Sequence, residues 1–140
     1  MRRALSEHSQ ILIVDQSRLL REFYAQVLGD NGYVAVCSTD CKDAKSLLAD
    51  GRYHFAVALV DFLESSDEHL KLIEAIRKMP TRKSLPIISI IDPAVENVTL
   101  LRIARSSDSL ILRGDFELPR LYHFIRQFIQ LGPDGQPLLA

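Results

Sequence analysis

The sequence predicts an α/β fold, a (βα)5 doubly wound open parallel sheet of five strands, on three observations. Short apolar runs alternate five times with longer stretches of helical periodicity. The runs are apolar without in-out alternation, as suits parallel strands covered on both faces. Three of the runs stop abruptly at an aspartate. A chain of 140 residues fits one ordinary domain and can bury a core without metal or disulfide staples.

Each element has its own signal. Ile11-Leu12-Ile13-Val14 reads as the first strand and ends at Asp15. Ser17 stands at the start of a first helix carrying Leu19, Leu20, Phe23, Val27 and Leu28, with Gly29 or Gly32 at its end. Tyr33–Cys37 is the second strand, and Ala44, Leu47 and Leu48 mark a short helix closed by Gly51. Phe55–Val60 is the third strand, ending at Asp61. Leu70, Leu72, Ile73 and Ile76 mark the third helix, stopped before Pro80. Ile87–Ile91 follows Pro86 and ends at Asp92. Asp92-Pro93 reads as an N-cap and first-turn proline for a fourth helix with Val98, Leu101 and Ala104. Leu110-Ile111-Leu112 ends at Arg113, and Leu118, Leu121, Ile125, Phe128 and Ile129 make the fifth helix. Residues 1–131 are expected to form the domain, and 132–140, opening on Gly132-Pro133, a tail or linker.

Composition excludes several classes. Apolar residues are 47% and charged residues 25%, which is globular and not disordered. A net charge of -1 argues against general nucleic-acid binding, which normally shows a basic excess. No apolar run approaches the ~18 residues of a membrane span, and residues 1–10 lack the apolar stretch of a signal peptide. The expectation is a soluble, cytoplasmic protein. Cys37 and Cys41 fit no metal spacing and read as reduced thiols. His8, His54, His69 and His123 lie in unrelated segments and read as surface or interface histidines.

In open parallel sheets the functional crevice lies beyond the carboxyl ends of the strands. The side chains that follow the strands here are Asp15, Asp61, Asp92 and Arg113. Asp92 is explained by capping alone. Asp15, Asp61 and Arg113 converge at one sheet edge as a charged cluster on an apolar scaffold.

These pieces, in this order, resemble the receiver domain of bacterial two-component response regulators over roughly residues 10–130. The resemblance is carried by Ile11–Asp15 with Ser17 and Arg18, by Ala58-Leu59-Val60-Asp61, by Leu85-Pro86-Ile87-Ile88, and by Asp108 before the last strand. It implies the flavodoxin-like topology, a phosphoacceptor at Asp61, and a Mg2+ site at Asp15, Gln16 and Asp61. It implies as partners a histidine kinase or phosphotransfer protein, or an output domain.

The departures from the family pattern fall on the site itself. The second acid after the first strand is Gln16, which keeps an oxygen but loses a charge, so Mg2+ binding is expected to be weak. The hydroxyl expected at the end of the fourth strand is replaced by Ile91, and Ser89 sits two residues deeper. The lysine after the fifth strand is Arg113, followed by Gly114 in place of proline. The aromatic switch position is Leu110, and Glu64–His69 stands where a proline and an Asp-Gly turn are usual. The expectation is a degenerate, pseudo-receiver-like signalling domain acting through protein contacts, not an enzyme. Within it, Arg113 is expected to pair with Asp61 and partly replace the cation. The alternative is a phosphorylation-competent receiver with weakly held Mg2+. A haloacid-type phosphotransferase is more distant, because Ser17 stands where that chemistry needs a second acid.

Arg102, Arg105, Tyr122 and Arg126 lie on the last two helices. The resemblance makes the face of the fourth helix, fifth strand and fifth helix a surface for partners or a homodimer. A solvated helix face is the competing reading.

Overall fold

The computed structural model describes residues 10–62, 66–113 and 118–130. The expected tail at 132–140 and the residues Glu64, Ser65, Gly114 and His8 lie outside them. Along the chain run β1 (Gln10–Asp15), α1 (Arg18–Asp30), β2 (Val34–Ser38), α2 (Cys41–Ala49) and β3 (Phe55–Asp61). They are followed by α3 (Ser66–Lys78), β4 (Ile87–Ile91), α4 (Asn97–Ser106), β5 (Ser109–Leu112) and α5 (Leu118–Gln130). The strands form one parallel sheet in the order β2-β1-β3-β4-β5. This is the predicted doubly wound (βα)5 architecture.

Successive residues of a strand face opposite sides, and here both sides are buried. Leu12, Val14, Ala58, Val60, Ile87 and Ile91 pack with Ala44, Leu48, Leu72, Ile76 and Ile103 under α2, α3 and α4. Ile11, Ile13, Val57, Leu59, Ile88, Ile90 and Ile111 pack with Tyr24, Leu28, Leu121 and Ile125 under α1 and α5. Covering both faces explains why the strands read as unbroken apolar runs.

Three sequence expectations need correction. In α1 the buried residues are Tyr24 and Leu28, with Leu20 packed beside them, while Leu19 and Phe23 are 76% and 43% exposed. The pairs Leu19-Leu20 and Phe23-Tyr24 offer two neighbouring stripes, and the one ending on Leu28 faces the sheet. Second, α4 begins at Asn97, with Glu96 at the cap position and no side-chain cap bond. Asp92 instead accepts the Ala94 N–H at 2.8 Å, closing a local turn that holds Pro93. Val98 and Leu101 point outward, and Ile103 is the buried residue of α4. Third, Ser66–His69 belong to the first turn of α3, not to the loop after β3.

Ser17 caps α1 as expected, accepting the Leu20 N–H at 3.2 Å. Gly32 has φ 86°, the left-handed conformation that glycine adopts without strain after a helix. Asp108 ties the β4 and β5 entries together: its carboxylate accepts the Ile87 N–H and an Arg77 guanidinium N–H, each at 2.8 Å. Arg77 also donates to the carbonyls of Lys83, Leu85 and Ser106. Asp108→Ala strands these donors and is expected to cost about 2 kcal/mol in urea denaturation. An unchanged midpoint would show that solvent satisfies them equally well.

Candidate functional site

The parallel register places Asp15 beside Asp61 at the carboxyl ends of β1 and β3. Both are 0% exposed. Arg113 follows β5, two strands away, and reaches across the end of β4. Its Nη2 donates to Asp61 Oδ1 at 2.5 Å and its Nη1 to Asp61 Oδ2 at 3.4 Å. The expected guanidinium–carboxylate pair is formed, with the arginine side chain 27% and the aspartate side chain 1% exposed.

Asp15 is held differently. Its Oδ1 accepts the Ser17 N–H at 2.8 Å, and its main-chain carbonyl accepts Arg21 Nη1 at 2.8 Å. Its Oδ2 is buried with no hydrogen-bond partner among the described residues, and so is Arg113 Nε. Burial first, and then neighbouring Asp61, push the Asp15 carboxyl up to about 7, against the opposing Ser17 amide and Arg113 charge. Burial opposes the charge of Arg113, but the hydrogen bond and charge of Asp61 outweigh it and raise its pKa. Tyr24, which the sequence reading overlooked, is a buried α1 residue whose phenol is pushed up by burial and by Asp61 and Asp15. Its signal was one stripe over from the expected one.

The remaining expected site residues are placed as follows. Gln16 is exposed beside the buried acid pair. Ile91 is 3% exposed within the α2–α4 core and brings no polar atom to the strand ends. Leu110 is partly buried against the same core. Arg102 Nη2 donates to both Glu74 oxygens at 3.0 Å, linking α4 to α3. Arg105 and Arg126 are exposed, and the Tyr122 side chain lies outside the described ones. Cys37 and Cys41 are free thiols, the first exposed and the second partly buried.

His69 is the clearest correction: it is 1% exposed, an interior residue and not a surface one. Its Nε2 lies 2.8 Å from Ser89 Oγ, which lies 2.7 Å from Ser107 Oγ. Burial, helped by the Arg113 charge, lowers its pKa to about 4, so the ring is neutral near pH 7. The sequence did carry a signal, since position 69 extends the buried stripe of Leu72, Ile73 and Ile76 back by one turn.

Tested against a divalent cation, this donor set does not fit a tightly held ion. Both Asp61 oxygens face a guanidinium, Gln16 is uncharged, and Asp15 Oδ2 is the one carboxylate oxygen of the pair left without a partner. Hard dications favour sites with several free anionic oxygens.

Comparison with solved structures places this geometry in a known fold. The receiver domain of a signal transduction histidine kinase from Syntrophus aciditrophicus superposes with a TM-score of 0.78 at 16% identity, covering 94% of this chain and 98% of that one. A CheY-like receiver domain protein from Methanospirillum hungatei JF-1 gives 0.75 at 19% identity, covering 87% and 94%. The beryllofluoride-activated NtrC4 receiver domain dimer gives 0.72 at 15% identity, covering 87% and 97%. No protein-family model matches the sequence, and no curated protein matches it. The chain has the receiver-domain fold of two-component response regulators.

The acid pair makes a pH prediction. Asp15 binds its proton more tightly folded than unfolded, so its contribution to stability is complete below about pH 4. That contribution fades as pH rises towards the folded value of about 7. The melting temperature is therefore expected to fall across that window, and Asp15→Asn to flatten the slope. Parallel slopes for the two proteins would place the titration elsewhere.

Proposed function

We propose that the protein is a receiver-type signalling domain that acts through protein–protein contacts in one standing state, without turnover. The observation that carries this is the two-pronged Arg113–Asp61 pair. A guanidinium on Asp61 supplies the positive charge that a metal ion would otherwise bring, and it covers both oxygens where a phosphoryl group would attach. Ile91 fits the same reading, because a site with no phosphoryl group has no use for a hydroxyl there. The cytoplasm is the proposed location.

A second reading keeps Asp61 as a phosphoacceptor with Mg2+ held weakly by Asp15, Gln16 and Asp61, served by a histidine kinase or phosphotransfer protein. The free Asp15 Oδ2 favours it, as one oxygen able to accept a cation. A haloacid-type enzyme is disfavoured because Ser17 is occupied: its amide bonds Asp15 and its hydroxyl caps α1.

Incubation with Mg2+ and a small phosphodonor, followed by intact mass measurement, separates the readings. The standing-state reading expects no added mass, and gain of one phosphoryl group would establish the second. In the same buffer, Gln16→Asp is expected to tighten Mg2+ binding about tenfold, the order of effect of one added carboxylate. No change would remove Gln16 from the metal site.

The docking surface we assign is the face of α4, β5 and α5. Val98 and Leu101 are 70% and 59% exposed on α4, close to Arg105, and Leu112 is exposed on β5. Apolar side chains rimmed by arginines suit an interface. A second copy or an output or partner protein is the proposed occupant; the NtrC4 receiver domain is itself a dimer. Tyr122→Ala with Arg126→Glu, and separately Leu101→Asp, are expected to weaken association in light scattering or pull-down. Unchanged association would return this face to solvent.

A further inference from the structure

We propose that the Asp61 pocket is coupled to α4 through a buried polar chain, His69–Ser89–Ser107. This rests on the reading above that the α4 face is a docking surface, and it concerns how that face is held.

The chain starts at the pocket. Phe62 follows Asp61, is 5% exposed, and packs on the His69 ring with centroids 5.9 Å apart. His69 stands in the first turn of α3 and bonds Ser89 in the middle of β4. Ser89 is 0% exposed and bonds Ser107, the residue that closes α4. Three elements therefore meet at one hydroxyl.

A neutral imidazole and two hydroxyls can run their protons in either of two directions. Ser107 donates to Ser89 and Ser89 to Nε2, or Nε2–H donates to Ser89 and Ser89 to Ser107. Each direction satisfies the buried Ser89 hydroxyl, and a break leaves it unsatisfied at a cost of about 1–3 kcal/mol. The three groups are thus bonded as one network, in which removing one member deprives the next of a bond.

α4 is the element such a unit can hold. Its buried apolar anchor is Ile103, with Leu100 partly buried, against five buried residues in α3. The Ser107 bond, the Arg102–Glu74 pair and the Arg77 bond to the Ser106 carbonyl are polar ties that hold it to the rest of the domain. A helix with so few apolar anchors shifts or loosens when a polar tie is cut.

The test is hydrogen exchange on the whole chain, with Asp61→Asn as the perturbation of the pocket. In the native background it is expected to speed exchange of the α4 amides by about fivefold to tenfold, the worth of one buried hydrogen bond. In Ser89→Ala and Ser107→Ala backgrounds, where the chain is already cut, the further increase should vanish. Ser107 is only partly buried at a helix end, so that background keeps the experiment readable if Ser89→Ala does not fold. Ser107→Ala should also speed exchange of the α3 amides that follow His69, on the other side of Ser89. An Asp61→Asn effect of equal size in every background overturns the proposal, and so does an absence of any effect on α4. Failure of the docking reading looks different: the coupling appears, while Leu101→Asp leaves association unchanged.

Discussion

Two carboxyl groups buried side by side at the end of a parallel sheet set the terms for everything around them. Like charges in a dry site repel, and each also loses the hydration it had in the unfolded chain. The protein resolves the conflict unevenly. Asp61 receives a guanidinium, while Asp15 receives one backbone N–H and an environment that favours its neutral form. Arg113 crosses the end of β4 to make this pair, and Ile91, buried in the core at that strand's end, adds no polar side-chain atom there.

A site whose positive charge is covalently part of the chain does not depend on ionic supply or on a phosphodonor to reach its paired state. Arginine matters at this position because a planar fork covers both oxygens of one carboxylate, which a compact ammonium does not. The helix with the lightest seat is α4, and its outer surface sets Val98 and Leu101 among Arg102 and Arg105.

The fold was legible because a parallel sheet covered on both faces leaves an unmistakable mark, and Ile11–Val14, Phe55–Val60 and Ile87–Ile91 each carry it. Asp61 and Arg113 were legible for a related reason: strand ends are where such sheets expose chemistry. What was missed lies on helices, where apolar side chains are ambiguous by one position. Leu19 and Phe23 compete with Leu20 and Tyr24 for the same face, and only the packing of α1 on the sheet decides between them. His69 was misplaced because its type outweighed its position, although the stripe of α3 passes through it. Asp92-Pro93 has the chemistry of a helix start and of a turn alike, and the turn won because the next helical residue is Asn97.

The strand order also bears on how the protein is made. Synthesis delivers β1 and β3 well before β5, so both acids of the pocket exist in the chain while the residue that neutralises Asp61 has yet to be translated. β5 is an edge strand of four residues, paired with β4 alone. Its docking closes the sheet and brings Arg113 over the acids in the same event. A nascent chain halted before residue 113 would therefore carry a pair of carboxyl groups without their guanidinium at the ends of its central strands. Completion of the last βα unit is then the step that makes the first strand's aspartate compatible with burial beside Asp61.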